Sequence, residues 1–135
     1  MAGTQIFVNL PVADLEKSKA FYTQLGFSIN EQFTDENASC VVISDTIYVM
    51  LLTHEFFRRF TPKAIVDAQG ATEAINAISA ESRTGVDDLA DRALAAGGAQ
   101  TNPPQDEGFM YSRSFSDLDG HLWEVMYMDP STIEG

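Results

Sequence analysis

The feature that most constrains this chain is a pattern of elements stated twice. Residues 4–12, TQIFVNLPV, alternate Ile6, Val8, Leu10 and Val12 with Gln5, Phe7, Asn9 and Pro11, the period-two signature of a strand with two unlike faces. Asp14 can cap a helix over about 14–25, with Leu15, Ser18, Phe21 or Tyr22, and Leu25 along one stripe and Gly26 as its stop. Three strand-like stretches follow, FSINEQFT, ASCVVIS and IYVMLLT, separated by DEN and DT as in an antiparallel meander. After residue 70 the order recurs. TEAINAISAES reads as a strand, and RTGVDDLADRALAAGG as a helix with Val86, Leu89, Ala93 and Ala96 on one side and a Gly97-Gly98 stop. A short strand near 99–102, the turn NPPQDEG, and the strands FMYSRSFS and HLWEVMYM joined by DLDG complete the set. The chain is therefore expected to be α+β, with two βαβββ modules at about 4–53 and 72–128, held in register by Gly26 and Gly97. The repeat is one of pattern; the side chains of the two halves differ.

Composition narrows the function classes. A chain of 135 residues suits one domain and buries roughly two-thirds of the surface its unfolded form exposes, so neither a disulfide nor a structural metal is required. Cys40 is the single cysteine, which excludes an internal disulfide and a cysteine-built zinc site. The longest apolar run, IYVMLL at 47–52, is too short to cross a bilayer, and no basic segment precedes an apolar one at the N-terminus. A cytoplasmic protein with no membrane partner is expected. Eight Lys and Arg against twenty Asp and Glu, a net charge of −12, would repel a phosphate backbone, so nucleic acid is not an expected partner. Between the modules, residues 54–71 read as a linker, in which Phe56, Phe57 and Phe60 suggest one or two helical turns before Pro62. Arg58, Arg59 and Lys63 there form either a local anion-attracting patch or a solvated rim.

The segments NLPVADLEKSKAFYTQLGF, VDDLADRALAAGG and DLDGHLWEV, in this order, resemble the vicinal oxygen chelate superfamily, which includes glyoxalases, extradiol dioxygenases, and fosfomycin- and bleomycin-resistance proteins. The stretches IFVNLPVADL, SDTIYVMLLTHE and GFMYSRSFSDLDGHLWEV are similar to a branch labelled predicted lactoylglutathione lyase. The resemblance covers almost the whole chain. It implies that each module curls into a half-open cup, that the two form a paired, cup-shaped mixed sheet, and that a cavity holds a metal and a small-molecule substrate. It also implies that metal ligands, where present, come from the first and last strand of each module. By register these positions are Phe7, Met50, Ile75 and Glu124.

Only Glu124 among the four offers a hard donor; phenylalanine and isoleucine have no lone pair and a thioether is too soft for a divalent ion in an oxygen-rich site. Glu73 is the sole neighbouring rescue. His121 lies three residues before Glu124, which puts the two on opposite strand faces, and His54 lies roughly 13 Å beyond Met50 at about 3.3 Å per residue. No metal or other cofactor is expected. Glu124 is then a cavity-facing carboxylate among Phe7, Met50, Leu122 and Met126, where desolvation would raise its pKa and suit it to proton transfer. It could instead pair with Arg113 or accept bonds from Tyr111 or Asn9. The expected catalytic residue is Glu124, and the expected substrate contacts are Phe7, Asn9, Met50, His54, Tyr111, Arg113 and Met126. Cys40 is expected to be a buried small hydrophobe, and Trp123, Val125 and Tyr127 to face a helix or a second subunit. Three readings remain open. They are a metal-independent lyase or isomerase using Glu124, a non-catalytic small-molecule binding or sequestering protein, and a metal-dependent lactoylglutathione lyase or dioxygenase. A homodimer is expected for each.

Overall fold

The computed structural model describes residues 3–132. It forms two compact units, Met1–Asp67 and Ala68–Gly135, whose boundary falls inside the 54–71 segment. Both repeat one mixed α+β topology.

Module 1 comprises β1 (Ile6–Val12), α1 (Leu15–Gln24), β2 (Ser28–Asn30), β3 (Ala38–Val42) and β4 (Ile47–Thr53). Its sheet has the order β1-β4-β3-β2, with β1 parallel to β4 and the other pairs antiparallel. The Asp14 carboxylate accepts the Lys17 N–H at 3.1 Å and so starts α1. At the other end the Gly26 N–H donates to the Thr23 carbonyl at 3.0 Å and the Phe27 N–H to the Tyr22 carbonyl at 3.4 Å, a Schellman stop with Gly26 at φ 103°. The helix buries Leu15, Ser18, Phe21 and Tyr22 against β3 and β4. Phe21 and Tyr22 both lie inside rather than one of them, and each such burial contributes about 1.5–3 kcal/mol.

Two local features depart from the sequence reading. FSINEQFT is a strand only as far as Asn30, whose side-chain oxygen accepts the Gln32 N–H at 3.0 Å and turns residues 31–33 into a 3-10 helix. A short amide competing for the backbone ends the ladder there. His54 does not extend β4. The Thr53 hydroxyl accepts the Phe56 N–H at 3.2 Å and caps a single turn, α2 (His54–Phe57), so His54 is helical and no longer follows the face of Met50. Phe56 and Phe60 then meet edge to face at 5.2 Å.

Module 2 comprises β5 (Ile75–Ser79), α3 (Arg83–Ala95), β6 (Ala99–Gln100), β7 (Gln105–Asp106), β8 (Met110–Ser116) and β9 (Leu122–Met128). The order is β5-β9-β8-β6, with β7 also on β8; β5 is parallel to β9 and the rest are antiparallel. Ser82 caps α3 through the Gly85 N–H at 2.9 Å. Its stop repeats that of α1, with the Gly97 N–H on the Leu94 carbonyl at 3.3 Å and the Gly98 N–H on the Ala93 carbonyl at 2.9 Å. Val86, Ala90 and Ala93 are the fully buried positions of α3; Leu89 is partly buried and Ala96 is the C-cap. Trp123, Val125 and Tyr127 take the helix side of the sheet, as their alternation requires. β7 is a two-residue ladder inside the Pro-rich segment read as a turn.

The DLDG turn is held from within. The Asp117 carboxylate accepts the N–H groups of Asp119 and His121 at 3.0 and 2.9 Å, and the Asp117 N–H donates to the His121 carbonyl at 3.0 Å. Gly120 has φ 93°, and a Cβ there would stand 2.7 Å from the Ala68 carbonyl oxygen, so only glycine fits. Among the described residues no helix is long and apolar enough to cross a membrane.

Candidate functional site

The β8–β9 hairpin pairs outward from its turn. Ser116 stands opposite Leu122, Ser114 opposite Glu124 and Ser112 opposite Met126; the intervening set pairs Phe115 with Trp123, Arg113 with Val125 and Tyr111 with Tyr127. Directly paired residues share a sheet face. On the other side of β9, Ala77 is opposite Glu124 and Ile75 opposite Leu122. The face away from α3 therefore presents Glu124 between Ala77 and Ser114, with Leu122 and Met126 along its own strand. A small recess of about 10 Å³, room for about one water, is lined by Asn102, Pro103, Gln105, Ser112, Arg113, Ser114 and Glu124. The Ser114 hydroxyl accepts the Asn102 N–H at 3.0 Å, which fixes that wall. Among the described residues, no side chain or backbone donor reaches the Glu124 carboxylate.

This setting corrects two expectations. The immediate surroundings of Glu124 within module 2 are polar on the β8 side, with hydroxyls where an apolar wall was expected. Tyr111 and Arg113 belong to the alternate set of β8 positions, opposite Tyr127 and Val125, although Arg113 also borders the recess. They lie under α3, where the Tyr111 hydroxyl donates to Asp87 at 2.6 Å and Arg113 donates to Asp87 at 3.2 Å and Asp91 at 2.8 Å. The bond from Tyr111, then that from Arg113, hold the Asp87 carboxyl below its usual range, and the same bond raises the Tyr111 phenol. Strand alternation put Tyr111 and Arg113 on one face correctly; the face is the helix-packed one.

At the edge of the same sheet, Arg83 grips Asp106 with two bonds of 2.9 and 2.8 Å, donates to the Gly108 carbonyl at 3.1 Å, and lies over the Tyr111 ring at 5.1 Å. The Arg83 bond and, after it, the Gly108 N–H hold the Asp106 carboxyl down to about 2. The clasp secures β7, whose Gln105 borders the recess.

Module 1 presents a different open face. Phe7 pairs with Tyr48, and Asn9 with Met50, which in turn faces Cys40. Phe7, 50% exposed, stacks on Tyr48 with centroids 4.8 Å apart and planes 10° from parallel. The Tyr48 hydroxyl donates to the Asp45 carbonyl at 3.0 Å and accepts from Gln5 at 3.3 Å. The Asn9 amide donates to the Phe7 carbonyl at 3.0 Å, within its own strand. Cys40 is buried, and that burial raises its thiol pKa.

The donor set does not fit a divalent ion. Phe7, Met50 and Ile75 supply no hard donor, Ala77 occupies the position directly across from Glu124, and Glu73 is exposed ahead of β5. Among the described residues, no group of three His, Cys, Asp or Glu side chains is placed to hold a metal. His121 sits one residue before β9, in the turn. The residues that sequence reasoning missed are Ser112, Ser114, Asn102 and Gln105. The alternate serines of MYSRSFS were the available signal, because counting outward from DLDG places Ser114 against Glu124.

Residues 4–44 match a protein family described as bleomycin resistance protein-like N-terminal. Among solved structures, the chain is 30% identical to a hypothetical protein from S. aureus, over 94% of this chain and 95% of that one, with a TM-score of 0.77. A glyoxalase-related enzyme from Fulvimarina pelagi is 21% identical over 91% and 87%, with a TM-score of 0.77. A genomically encoded fosfomycin resistance protein from Listeria monocytogenes is 22% identical over 94% and 92%, with a TM-score of 0.66. No curated protein matches the chain.

Proposed function

We propose that this chain is a member of the vicinal oxygen chelate superfamily, a reading supported by the bleomycin resistance protein-like match over residues 4–44 and by the fold shared with glyoxalase/bleomycin resistance/dioxygenase structures, and that it binds a small organic molecule against Glu124 on the open face of module 2. One observation carries the reading. The Glu124 carboxylate has no donor on it among the described residues, although it is only partly exposed and lines a recess with Ser112 and Ser114. A carboxylate drawn partly out of water gains from a donor that a ligand brings.

Binding without turnover is favoured over enolisation by the fate of the expected electrophiles. Proton abstraction beside a carbonyl needs a group that polarises the oxygen. Asn9 donates instead to the Phe7 carbonyl and Tyr111 to Asp87. A second reading, a metal-independent lyase or isomerase with Glu124 as base, is supported by the Ser112 and Ser114 hydroxyls beside the carboxylate, which could take the polarising role. A lactoylglutathione lyase or dioxygenase working through a metal would need donors that Phe7, Met50 and Ile75 do not have. The proposal includes a cytoplasmic homodimer. The exposed apolar side chains of Ile6, Phe7, Ile75 and Met128 support the second copy, and the free Cys40 thiol suits a reducing compartment.

The test is a thermal-shift screen of small metabolites on the wild type and Glu124→Gln, followed by product analysis for every hit. Binding predicts stabilisation of the wild type by about 2.7 kcal/mol at a hundredfold excess over Kd, a weaker shift in the variant, and no product. Turnover that disappears in Glu124→Gln while the ligand still binds would replace this reading with the second one.

A further inference from the structure

The ligand class follows from where the charge lies. We propose that the open face of module 2 takes an organic cation with an apolar body, its ammonium or amidinium group seated against Glu124. This deepens the reading of that face as a ligand site and rests on it.

From residue 68 onward the chain carries twelve of its twenty carboxylates but three of its eight cations, Arg83, Arg92 and Arg113. None of the three serves Glu124. Arg83 is bound to Asp106, Arg113 lies under α3 between Asp87 and Asp91, and Arg92 is in the last turn of α3. Along the face of Glu124 the neighbours are Ala77, Ser112, Ser114, Leu122 and Met126, all uncharged. Arg113 also borders the recess, but its guanidinium is bonded to Asp87 and Asp91, so this half-buried carboxylate on the acidic half of an acidic molecule has no counter-ion bonded to it among the described residues. A cation is the ligand chemistry that supplies it, drawn in by the surrounding field.

The remainder of the face describes what the cation is attached to. Leu122 and Met126 stand two residues either side of Glu124, roughly 6–7 Å along the strand at about 3.3 Å per residue. Ile75, opposite Leu122, is 62% exposed, and a methionine thioether adapts to ligands of varied outline. The serine hydroxyls beside the carboxylate can accept the further N–H bonds of an ammonium. An aromatic or alkyl group two carbons from the charge would cover Leu122 or Met126 while the charge rests on Glu124.

The experiment titrates the full chain by NMR at low salt with three probes of one shape: 2-phenylethylammonium, 2-phenylethanol and phenylacetate. The ammonium is expected to bind at least tenfold tighter than the alcohol, with phenylacetate giving no saturable shift and Leu122 and Met126 resonances moving. Glu124→Gln should reduce the ammonium to the level of the alcohol, whereas Asp88→Asn, on the exposed side of α3, should leave it unchanged. Higher ionic strength should weaken the ammonium alone. Equal binding of ammonium and alcohol at these resonances would overturn the cation assignment and leave the ligand site standing. An ammonium preference that survives in Glu124→Gln, or falls equally in Asp88→Asn, would overturn it as diffuse attraction to an acidic surface. No shift on this face with any probe would remove both the assignment and the ligand site. Where Glu124→Gln fails to fold, the wild-type charge series together with Asp88→Asn decides the question.

Discussion

In module 1 the face away from the helix is partly roofed. Ala38, Cys40 and Leu52 share the face of Met50 by register and are still buried, because the 3-10 turn at 31–33 folds onto β3, and α2 onto β1 and β4. What stays open is aromatic, the Phe7–Tyr48 stack, and residues 1–67 carry five cations against eight carboxylates. In module 2, Asn102, Pro103 and Gln105 border the corresponding face and leave the recess of Glu124 beside them. Its open face carries a carboxylate, a row of alternate serines and methionine, on a half with three cations against twelve carboxylates. The helix-packed faces diverge less: both bury apolar side chains and both helices end in the same hydrogen-bond pattern, although that of module 2 also holds Arg113 and Tyr111 bonded to α3 carboxylates. The comparison separates two kinds of information. Caps, stops and the helix-facing residues set the fold, and the opposite face is left to carry the chemistry.

The sharpest way to test the equivalence of the two cores is to empty each by one ring. Phe21→Ala in module 1 and Phe115→Ala in module 2 remove side chains that are each 1% exposed, and each is expected to cost about 3–5 kcal/mol in urea unfolding. Trp123, paired across the ladder from Phe115, reports the second by fluorescence. Penalties differing by more than about 2 kcal/mol would show that the cores are not equivalent. A smaller effect separates two of the glycine turns of module 2, those at Gly97 and Gly120. Gly120→Ala meets the Ala68 backbone and should cost about 2–4 kcal/mol, while Gly97→Ala meets only the Leu118 side chain at 3.1 Å and should cost about 1–2 kcal/mol. Equal melting temperatures would remove the close approach as the reason for Gly120.

The smallest effect concerns the exposed clasp, which has no counterpart among the ion pairs described in module 1. Arg83 lowers the Asp106 carboxyl to about 2 from an unfolded value of 3.8, so the stabilisation it gives is fully present above 3.8 and is lost as pH falls through about 2. Unfolding midpoints of the wild type and Arg83→Ala, measured from pH 6 to about 2, should converge at the acid end, and added salt should narrow the gap at every pH. Parallel curves would show that the clasp contributes nothing through its charge.

Much of this architecture was legible in the sequence because its signals are local. Asp14 and Ser82 cap over three residues, Gly26 and Gly97 stop over two, and the alternation of β1 and β9 is continuous. The expectation failed where the deciding partner was not written into the pattern being read. Alternation placed Tyr111 and Arg113 together but could not say which face they take; that is decided by the pairing of Arg113 with Val125 across the hairpin. His54 was read as continuing β4, yet the Thr53 hydroxyl ends the strand there. β7 is two residues long and exists through its ladder to β8, so no periodicity could announce it. Glu124 was legible as an isolated acid from the residues at the other ligand positions, but its serine neighbours follow only once the hairpin register is counted out from DLDG.

The repeated Schellman stops have a consequence for how such a chain can change over time. Because both helices are terminated by backbone bonds around a glycine, and the last hairpin by an aspartate folded into its own turn, the scaffold draws little of its definition from the outward-facing positions of β8 and β9. Those positions are free to drift. A chain built this way can trade one cargo for another through a handful of substitutions on β8 and β9 while its architecture stays unaltered.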